Sequence, residues 1–313
     1  MKVVFMGTPE FAVASLDKIH NSEHEVVAVV TAPDKPSGRG RKLKGSAVKE
    51  YALEQNIPVL QPPKLKAPEF IEELQKLNAD LFVVVAFRML PEVVWNMPNK
   101  GTINLHGSLL PQYRGAAPIH RAVMNGETET GVSTFFIEKE IDTGDILLQE
   151  VLPIGPLENT GDVHDKMMVL GADVLLKTLD CIASNNIKPI KQDDVLPEDI
   201  KNAPKLFRND CVINWNQEVN MVHNFIRGLS PFPSAWSMLS DKVLKIHAAK
   251  PLIEKHKLEN GTIVLENDQL KVACLGGFIL VEQLQLEGKK RMKIGDFIRG
   301  MQADSLHNVV LHL

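Results

Sequence analysis

Lys2-Val3-Val4-Phe5-Met6-Gly7-Thr8-Pro9-Glu10 and, further on, Glu25-Val26-Val27-Ala28-Val29-Val30-Thr31 decide the fold. Lys2 to Met6 is an apolar strand, closed by Gly7-Thr8-Pro9. Between the two stretches, Glu10 to about Asn21 places Phe11, Val13, Ala14, Leu16 and Ile19 mostly on one helical face. Glu25 to Thr31 is a second strand. The order strand–helix–strand implies a parallel pair joined by a right-handed crossover. Gly7 stands alone, whereas a dinucleotide fingerprint needs Gly-x-Gly-x-x-Gly at this turn. That counts against NAD or NADP.

The same pattern continues. Ala47 to Gln55 and Glu69 to Leu77 read as helices, and Leu81 to Ala86 as a strand apolar throughout. Such a strand is expected where helices cover both faces of a sheet. Ile119 to Asn125 and Thr160 to Thr178 read as helices, and Thr130 to Glu138 as a strand. The expected class is α/β: a Rossmann-like open parallel sheet with helices on both faces, spanning 1–188. Residues 189–206, rich in Pro, Asp, Asn and Lys, are the expected linker. Residues 207–313 change character. One helix fits Glu218 to Arg227. Short extended runs follow at Ala235–Leu239, Lys242–Ala248, Gly261–Leu265, Leu270–Cys274 and Phe278–Gln285. They predict a small OB-like β-barrel domain.

Composition sets limits on function. The 313 residues are 44% hydrophobic and 24% charged, as in an ordinary globular protein. No apolar run approaches the roughly 20 residues that span a bilayer. The start reads as a first strand and not as a signal peptide, so the cytoplasm is the expected compartment. Cys181, Cys211 and Cys274 are scattered singly, which argues against a disulfide framework or a zinc site. The net charge of -4 is unevenly shared. Residues 1–206 hold 22 Lys+Arg against 28 Asp+Glu, and residues 207–313 hold 13 against 11. The second part is the one suited to a polyanion.

Chemistry concentrates in Gly101 to Pro118. Thr102, Asn104 and His106 alternate with Ile103 and Leu105, so Asn104 and His106 share one strand face. Gly107, Pro111, Gly115 and Pro118 then force repeated turns. An imidazole can move protons near neutral pH, and an amide can donate to an oxygen that gains charge. A satisfied histidine at a polar strand end fits the same spacing. Ligands in open α/β sheets sit beyond the carboxyl ends of the strands. The Gly7 turn, Arg88 and His106 all follow strands. Asp142-Thr143-Gly144-Asp145 forms a tight loop whose Asp142 carboxylate could hold the His106 tautomer. An Asx-turn fits equally, and Asp145 is a rival. Pro33 to Gly45 carries five basic residues and one acid among Gly and Pro. It is either a solvated loop or a flexible arm for phosphates. Lys289-Lys290-Arg291 is a second basic cluster.

Taken together, these motifs resemble the methionyl-tRNA formyltransferases, a branch of the 10-formyltetrahydrofolate-dependent formyltransferase family. The resemblance covers nearly the whole chain. The wider family's Asn-x-His-x-Ser-Leu-Leu-Pro is present as Asn104, His106 and Ser108 to Pro111, and its Asp-Thr-Gly as Asp142 to Gly144. Phe5 to Pro9, Pro33 to Gly40, Tyr113 to Pro118, Ala203 to Leu206 and Gly288 to Met292 are similar to the tRNA branch.

The resemblance implies formyl transfer from 10-formyltetrahydrofolate, as co-substrate, to the amino group of methionyl-initiator tRNA. That chemistry needs no metal, and the sequence shows no metal-ligand cluster; no membrane contact and a monomeric state are the further expectations. It implies Asn104, His106 and Asp142 as the catalytic trio and Ser108, Leu109, Leu110 and Pro111 as the folate loop. The tRNA arm falls at Arg39, Arg41 and Lys42, with a tRNA-contacting barrel that includes Lys289, Lys290 and Arg291. Phe87-Arg88 departs from the Tyr-Gly of many relatives beside the folate pocket, so Arg88 is a candidate pocket residue. Three other readings keep parts of this chemistry. They are a formyltransferase for a small nucleotide or sugar amine, a 10-formyltetrahydrofolate hydrolase, and a non-catalytic RNA-binding protein. The first two keep the trio, but a small acceptor needs neither basic loop nor barrel. The third leaves the trio unexplained.

Overall fold

The computed structural model describes residues 1–37, 42–192, 199–300 and 309–312. In chain order the first elements are β1 (Lys2–Gly7), α1 (Glu10–His20), β2 (Glu25–Val30), β3 (Lys35–Ser37), β4 (Lys42–Lys44), α2 (Ala47–Glu54) and β5 (Val59–Leu60). Then come α3 (Pro68–Lys76), β6 (Leu81–Val85), α4 (Glu92–Trp95), β7 (Thr102–His106), α5 (Pro118–Met124), β8 (Glu129–Phe136), β9 (Ile146–Pro153) and α6 (Thr160–Ala183). The rest of the chain adds α7 (Val219–Gly228), β10 (Ala235–Leu239), β11 (Lys242–Ile253), β12 (Ile263–Glu266), β13 (Gln269–Cys274), β14 (Gly277–Leu286), β15 (Met292–Lys293) and α8 (Ile294–Gly300). The chain divides into two compact units. One comprises Met1–Gly115, Gly131–Leu152 and His164–Asn202, and the other Ala116–Thr130, Pro153–Val163 and Ala203–Leu313.

The first unit is built on a seven-stranded sheet in the order β5-β2-β1-β6-β7-β8-β9. The β1–β2, β1–β6, β6–β7 and β2–β5 pairs are parallel, while β8 runs antiparallel to β7. The alternation along each strand sorts its side chains by face. Val4 and Met6 of β1 and Phe82 and Val84 of β6 pack with Phe70 and Leu74 of α3 and Val94 of α4. On α1 and α6 the Lys18–Asp173 ion pair lies at 2.6 Å and the Phe11 and His164 rings at 5.1 Å, so these helices lie side by side. In register, Gly7 pairs with Val85, and Val85 with Leu105. The carboxyl ends of β1, β6 and β7 are therefore neighbours. The basic loop, read from sequence as either a solvated loop or a flexible arm, begins and ends as an antiparallel hairpin, with Lys35 opposite Lys44 and Ser37 opposite Lys42. Arg39 and Arg41 lie outside the described residues, and Lys42 is described only as part of β4.

The expected linker is pinned to this unit over its first part. Ile190 bridges Ile146, Gln192 is buried, and the Tyr113 N–H donates to the Lys201 carbonyl at 2.5 Å. Polar residues with no periodicity can still dock, because main-chain pairing needs no apolar pattern.

The second unit holds an antiparallel sheet in the order β10-β11-β14-β13-β12, with β15 paired to β14. Register shifts at Ile246/Ala248 and Ala248/Ala249 bend β11 against β14. Residues 309–312 reach both edges of the sheet: His312 bridges Met238 of β10, and Val310 bridges Thr262 beside β12. Ile246, Val272, Ile279 and Leu284 fill the core with Val222 and Ile226 of α7. A Cβ on Gly228 would stand 2.4 Å from the Met124 side chain and 2.7 Å from its backbone nitrogen, so glycine lets α7 approach α5. No described helix is long and apolar enough to cross a membrane.

Within α7, His223 is buried beside Arg227, and burial first, then that guanidinium, pushes its pKa down to about 4. The unfolded chain binds this proton near pH 6.5, and the folded one near 4. Stability from His223 is thus complete above about pH 6.5 and is lost as pH falls toward 4. We expect the urea midpoint to fall over that interval, and His223→Gln to fall less steeply than wild type. Parallel curves for the two proteins would remove His223 from the acid sensitivity.

Candidate active site

β7 delivers Asn104 half-buried and His106 buried at the sheet's carboxyl edge. His106 Nε2 lies 2.9 Å from the Tyr113 carbonyl oxygen. A carbonyl only accepts, so Nε2 carries the proton. In the neutral ring Nδ1 is then the bare nitrogen. It faces Asp142 Oδ2 at 3.8 Å. That is too long for a direct hydrogen bond. The sequence reading gave the task of holding the tautomer to Asp142. The structure gives it to the Tyr113 main chain, which no side-chain pattern reveals. The edge of the His106 ring also meets Phe135, with centroids 6.4 Å apart.

Two non-glycine residues hold left-handed backbone here, Tyr113 at φ +61° and Asp142 at φ +57°. Each such residue costs about 1–3 kcal/mol, and such residues cluster at functional sites. Asp142 Oδ2 accepts from the Gly115 N–H at 2.8 Å. Gln192 Nε2 donates to the Asp142 carbonyl at 3.1 Å and to the Gly144 carbonyl at 2.7 Å. Its Oε1 accepts two bonds from Arg114, at 3.1 and 2.8 Å. A Cβ on Gly144 would sit 1.9 Å from the Phe136 carbonyl oxygen, so only glycine fits the loop. Asp145 instead offers its carbonyl to the Phe136 N–H at 3.0 Å.

The segment Ser108 to Pro111 is braced from below. Ser133 Oγ donates to the Ser108 carbonyl at 2.6 Å and accepts from the Leu110 N–H at 3.0 Å. Gln149 Nε2 donates to the Leu110 carbonyl at 2.9 Å and to Ser133 Oγ at 2.8 Å. Ser108 donates to the Gln112 carbonyl at 2.6 Å and is fully buried. Leu110 packs on Phe135 and Ile146. Leu109 and Pro111 are only half-buried. Arg88 donates to the Pro63 carbonyl at 3.1 Å and also to that of Pro62, with its guanidinium 5.5 Å from the Phe87 ring centroid. Burial lowers its pKa. Lys289, Lys290 and Arg291 are exposed on the second unit, where Arg291 Nε donates to Gln283 at 2.8 Å.

The structure thus brings His106 and Asp142 together, sets Asn104 two residues back on the same strand, and ties Arg88 to the main chain at 62–63. Sequence reading missed Tyr113, Ser133, Gln149 and Gln192. Tyr113 lay within a quoted motif, and Gln192 sat in a stretch without signal.

Residues 1–179 match the family "Formyl transferase" and residues 205–302 match "Formyl transferase, C-terminal domain". The chain belongs to the formyl transferase family. It is 51% identical over 309 residues to the methionyl-tRNA formyltransferase of Bacteroides thetaiotaomicron and 50% identical over 305 residues to that of Flavobacterium johnsoniae, covering 96% of each chain in both cases. Among solved structures it resembles WlaRD, a sugar 3N-formyl transferase, with a TM-score of 0.66 at 21% identity, covering 93% of this chain and 99% of that one. HypX from Aquifex aeolicus gives a TM-score of 0.65 at 17% identity, covering 96% of this chain and 48% of that one.

Removing the Gln192 side chain leaves two carbonyls unpaired, and one such buried group costs about 1–3 kcal/mol. We expect Gln192→Ala to lower the unfolding free energy by about that amount. The Gly115 amide, held by Asp142, should then exchange its hydrogen faster. Unchanged exchange at Gly115 would show that Gln192 does not hold the Asp142 loop.

Proposed function

We propose that this chain transfers the formyl group of 10-formyltetrahydrofolate to the amino group of methionyl-initiator tRNA, in the cytoplasm, releasing tetrahydrofolate. The observation that carries this is the likeness of about half of all residues to methionyl-tRNA formyltransferases over 96% of the chain, through both units. The paired His106 and Asp142 supply chemistry that suits it.

In this reading the amine attacks the formyl carbon and a tetrahedral oxyanion develops. The Asn104 amide donates to that oxygen. His106 keeps its Nε2 proton on the Tyr113 carbonyl. Its bare Nδ1 is the base that takes the amine proton. The imidazolium so formed is stabilised by the Asp142 carboxylate 3.8 Å away. Asp142 acts as a fixed charge; the intermediate then collapses with cleavage of the bond between the formyl carbon and N10 of the folate, and the proton held on His106 passes to that nitrogen, so that neutral tetrahydrofolate leaves. Ser108 and Leu110 turn their side chains inward, so the loop from Ser108 to Pro111 meets the folate with main chain and with Leu109 and Pro111. Arg88 belongs to the pocket wall and braces Pro62 and Pro63. Residues 1–188 carry the chemistry, 189–206 connect, and 207–313 hold the tRNA, with Lys289, Lys290 and Arg291 on phosphates. Arg39, Arg41 and Lys42 extend an arm to the same polyanion.

The deciding assay supplies 10-formyltetrahydrofolate with methionyl-tRNA. Formylation of initiator but not elongator tRNA is the expected result, and formate release without an acceptor would make the chain a hydrolase. Asn104→Ala and His106→Ala should each lower kcat by about two orders of magnitude or more, with folate binding kept. Near-normal kcat in either variant would remove that residue from the mechanism. For the arm, Arg39→Ala, Arg41→Ala and Lys42→Ala together should raise KM for tRNA and flatten its salt dependence by a log–log slope of about 2 to 3. An unchanged slope would sink the arm.

A further inference from the structure

The outer face of the second unit's sheet carries a feature that the transfer chemistry does not use. Trp236 of β10 stands opposite Lys245 of β11, and Lys245 stands opposite Gln285 of β14. Their sequence neighbours Ala235, Leu244, Ile246, Leu284 and Leu286 are buried, so period-two alternation puts this row on the other face. The row forms the floor of a cleft of about 670 Å³. That volume is in the range of about 300–1,000 Å³ usual for ligand sites.

The rim is aromatic and basic. Phe207 and Phe232 line the cleft with 62% and 76% of their surface exposed. Large apolar rings left this open are informative when they gather at one concave place. Lys205 Nζ lies 5.6 Å from the Phe207 ring centroid, and the Arg208 guanidinium 5.5 Å from that of Trp236. The indole N–H donates to the Arg208 carbonyl at 3.0 Å, which fixes the ring plane. Lys205, Arg208 and Lys245 face one acid in the cleft, Glu287, whose carboxylate already accepts from the Val243 N–H at 3.1 Å. Gln285 donates to the Lys289 carbonyl at 2.9 Å, so the basic turn Lys289 to Arg291 borders the floor.

We propose that this cleft takes an unpaired nucleotide of an RNA strand, stacking its base on Phe207, Phe232 and Trp236 and meeting its flanking phosphates with Lys205, Arg208 and Lys245. Flat aromatic faces beside cations are the combination that single-stranded nucleic acid requires, since every base offers a π-face and every link a charge. Duplex RNA keeps its bases stacked inside, so it can use the cations but not the rings. An acidic peptide would likewise use the cations and leave the rings bare. The proposal takes from the reading above only the identity of the RNA as a tRNA, and it adds that an unpaired base is gripped by the second unit.

The test uses the full chain and a single-stranded RNA of about eight nucleotides carrying a fluorescent purine analogue, a length within the footprint of OB-like domains. Stacking should quench the analogue on binding. Phe207→Leu with Phe232→Leu keeps the apolar area but removes the rings, and should weaken binding at least fivefold while leaving the salt slope unchanged. Phe207→Tyr with Phe232→Tyr should restore it. Lys205→Ala, Arg208→Ala and Lys245→Ala together should flatten the log–log salt dependence by about 2, the value for three contacts to a single strand. Equal binding of the double Leu variant, or equal affinity for duplex RNA of the same length, would overturn the stacking site. So would binding of free adenosine monophosphate as tightly as the oligomer. Formylation of methionyl-tRNA is measured on the same preparations. If wild type formylates and the double Leu variant binds RNA normally, the cleft fails and the transferase reading stands. If wild type binds and quenches the oligomer but does not formylate, the transferase reading fails and the cleft stands.

Discussion

The site depends on one hydrogen bond, from His106 Nε2 to the Tyr113 carbonyl at 2.9 Å. It fixes the ring, and it fixes which nitrogen is bare. It also explains why Tyr113 keeps a left-handed backbone at φ +61°. The peptide on one side of Tyr113 is held by Lys201 and that on the other by His106, so neither can rotate without losing a bond. A main-chain partner has a further property. It has no charge to lose, so the tautomer stays the same whatever the state of the carboxylates around it.

The Asp142 carboxylate is held separately, by the Gly115 N–H on one oxygen and through its loop by Gln192. A bare imidazole nitrogen facing a carboxylate at 3.8 Å is a repulsive arrangement when the ring is neutral, and an attractive one once Nδ1 gains a proton. Two rigidly held acceptors also suit an amine between them, since an amine brings donors for both.

Much of this was legible in the residues. The β1–α1–β2 crossover followed from apolar periodicity alone, and the apolar run from Leu81 to Val85 from burial on both faces. The strands of the second unit followed from alternation and turn residues. The pairing of Asn104 and His106 on one strand face was visible because alternation is local. Three things were not. The antiparallel direction of β8 depends on a connection through α5, and strand direction leaves no mark on composition. The hairpin of β3 and β4 hides in a stretch whose Gly, Pro and Lys read as irregular. Gln192 lies 50 residues beyond Asp142, and the bond between them is to a carbonyl that every residue has.

The two basic features separate along the same line between local pattern and assembled surface. Lys289, Lys290 and Arg291 were visible as a run because charge clusters in sequence. The cleft beside them was not, because it draws Lys205 and Phe207 from one segment, Trp236 from β10, Lys245 from β11 and Gln285 from β14. Only cross-strand register sets Trp236, Lys245 and Gln285 in one row. A run of charge on a turn can hold a backbone of any sequence or shape. A ring fixed on a sheet, with two exposed rings on the rim above it, responds to whether a base is free to stack, and so would distinguish unpaired from paired RNA. In the proposed reading, the basic turn gathers RNA by charge and the aromatic cleft selects among its conformations.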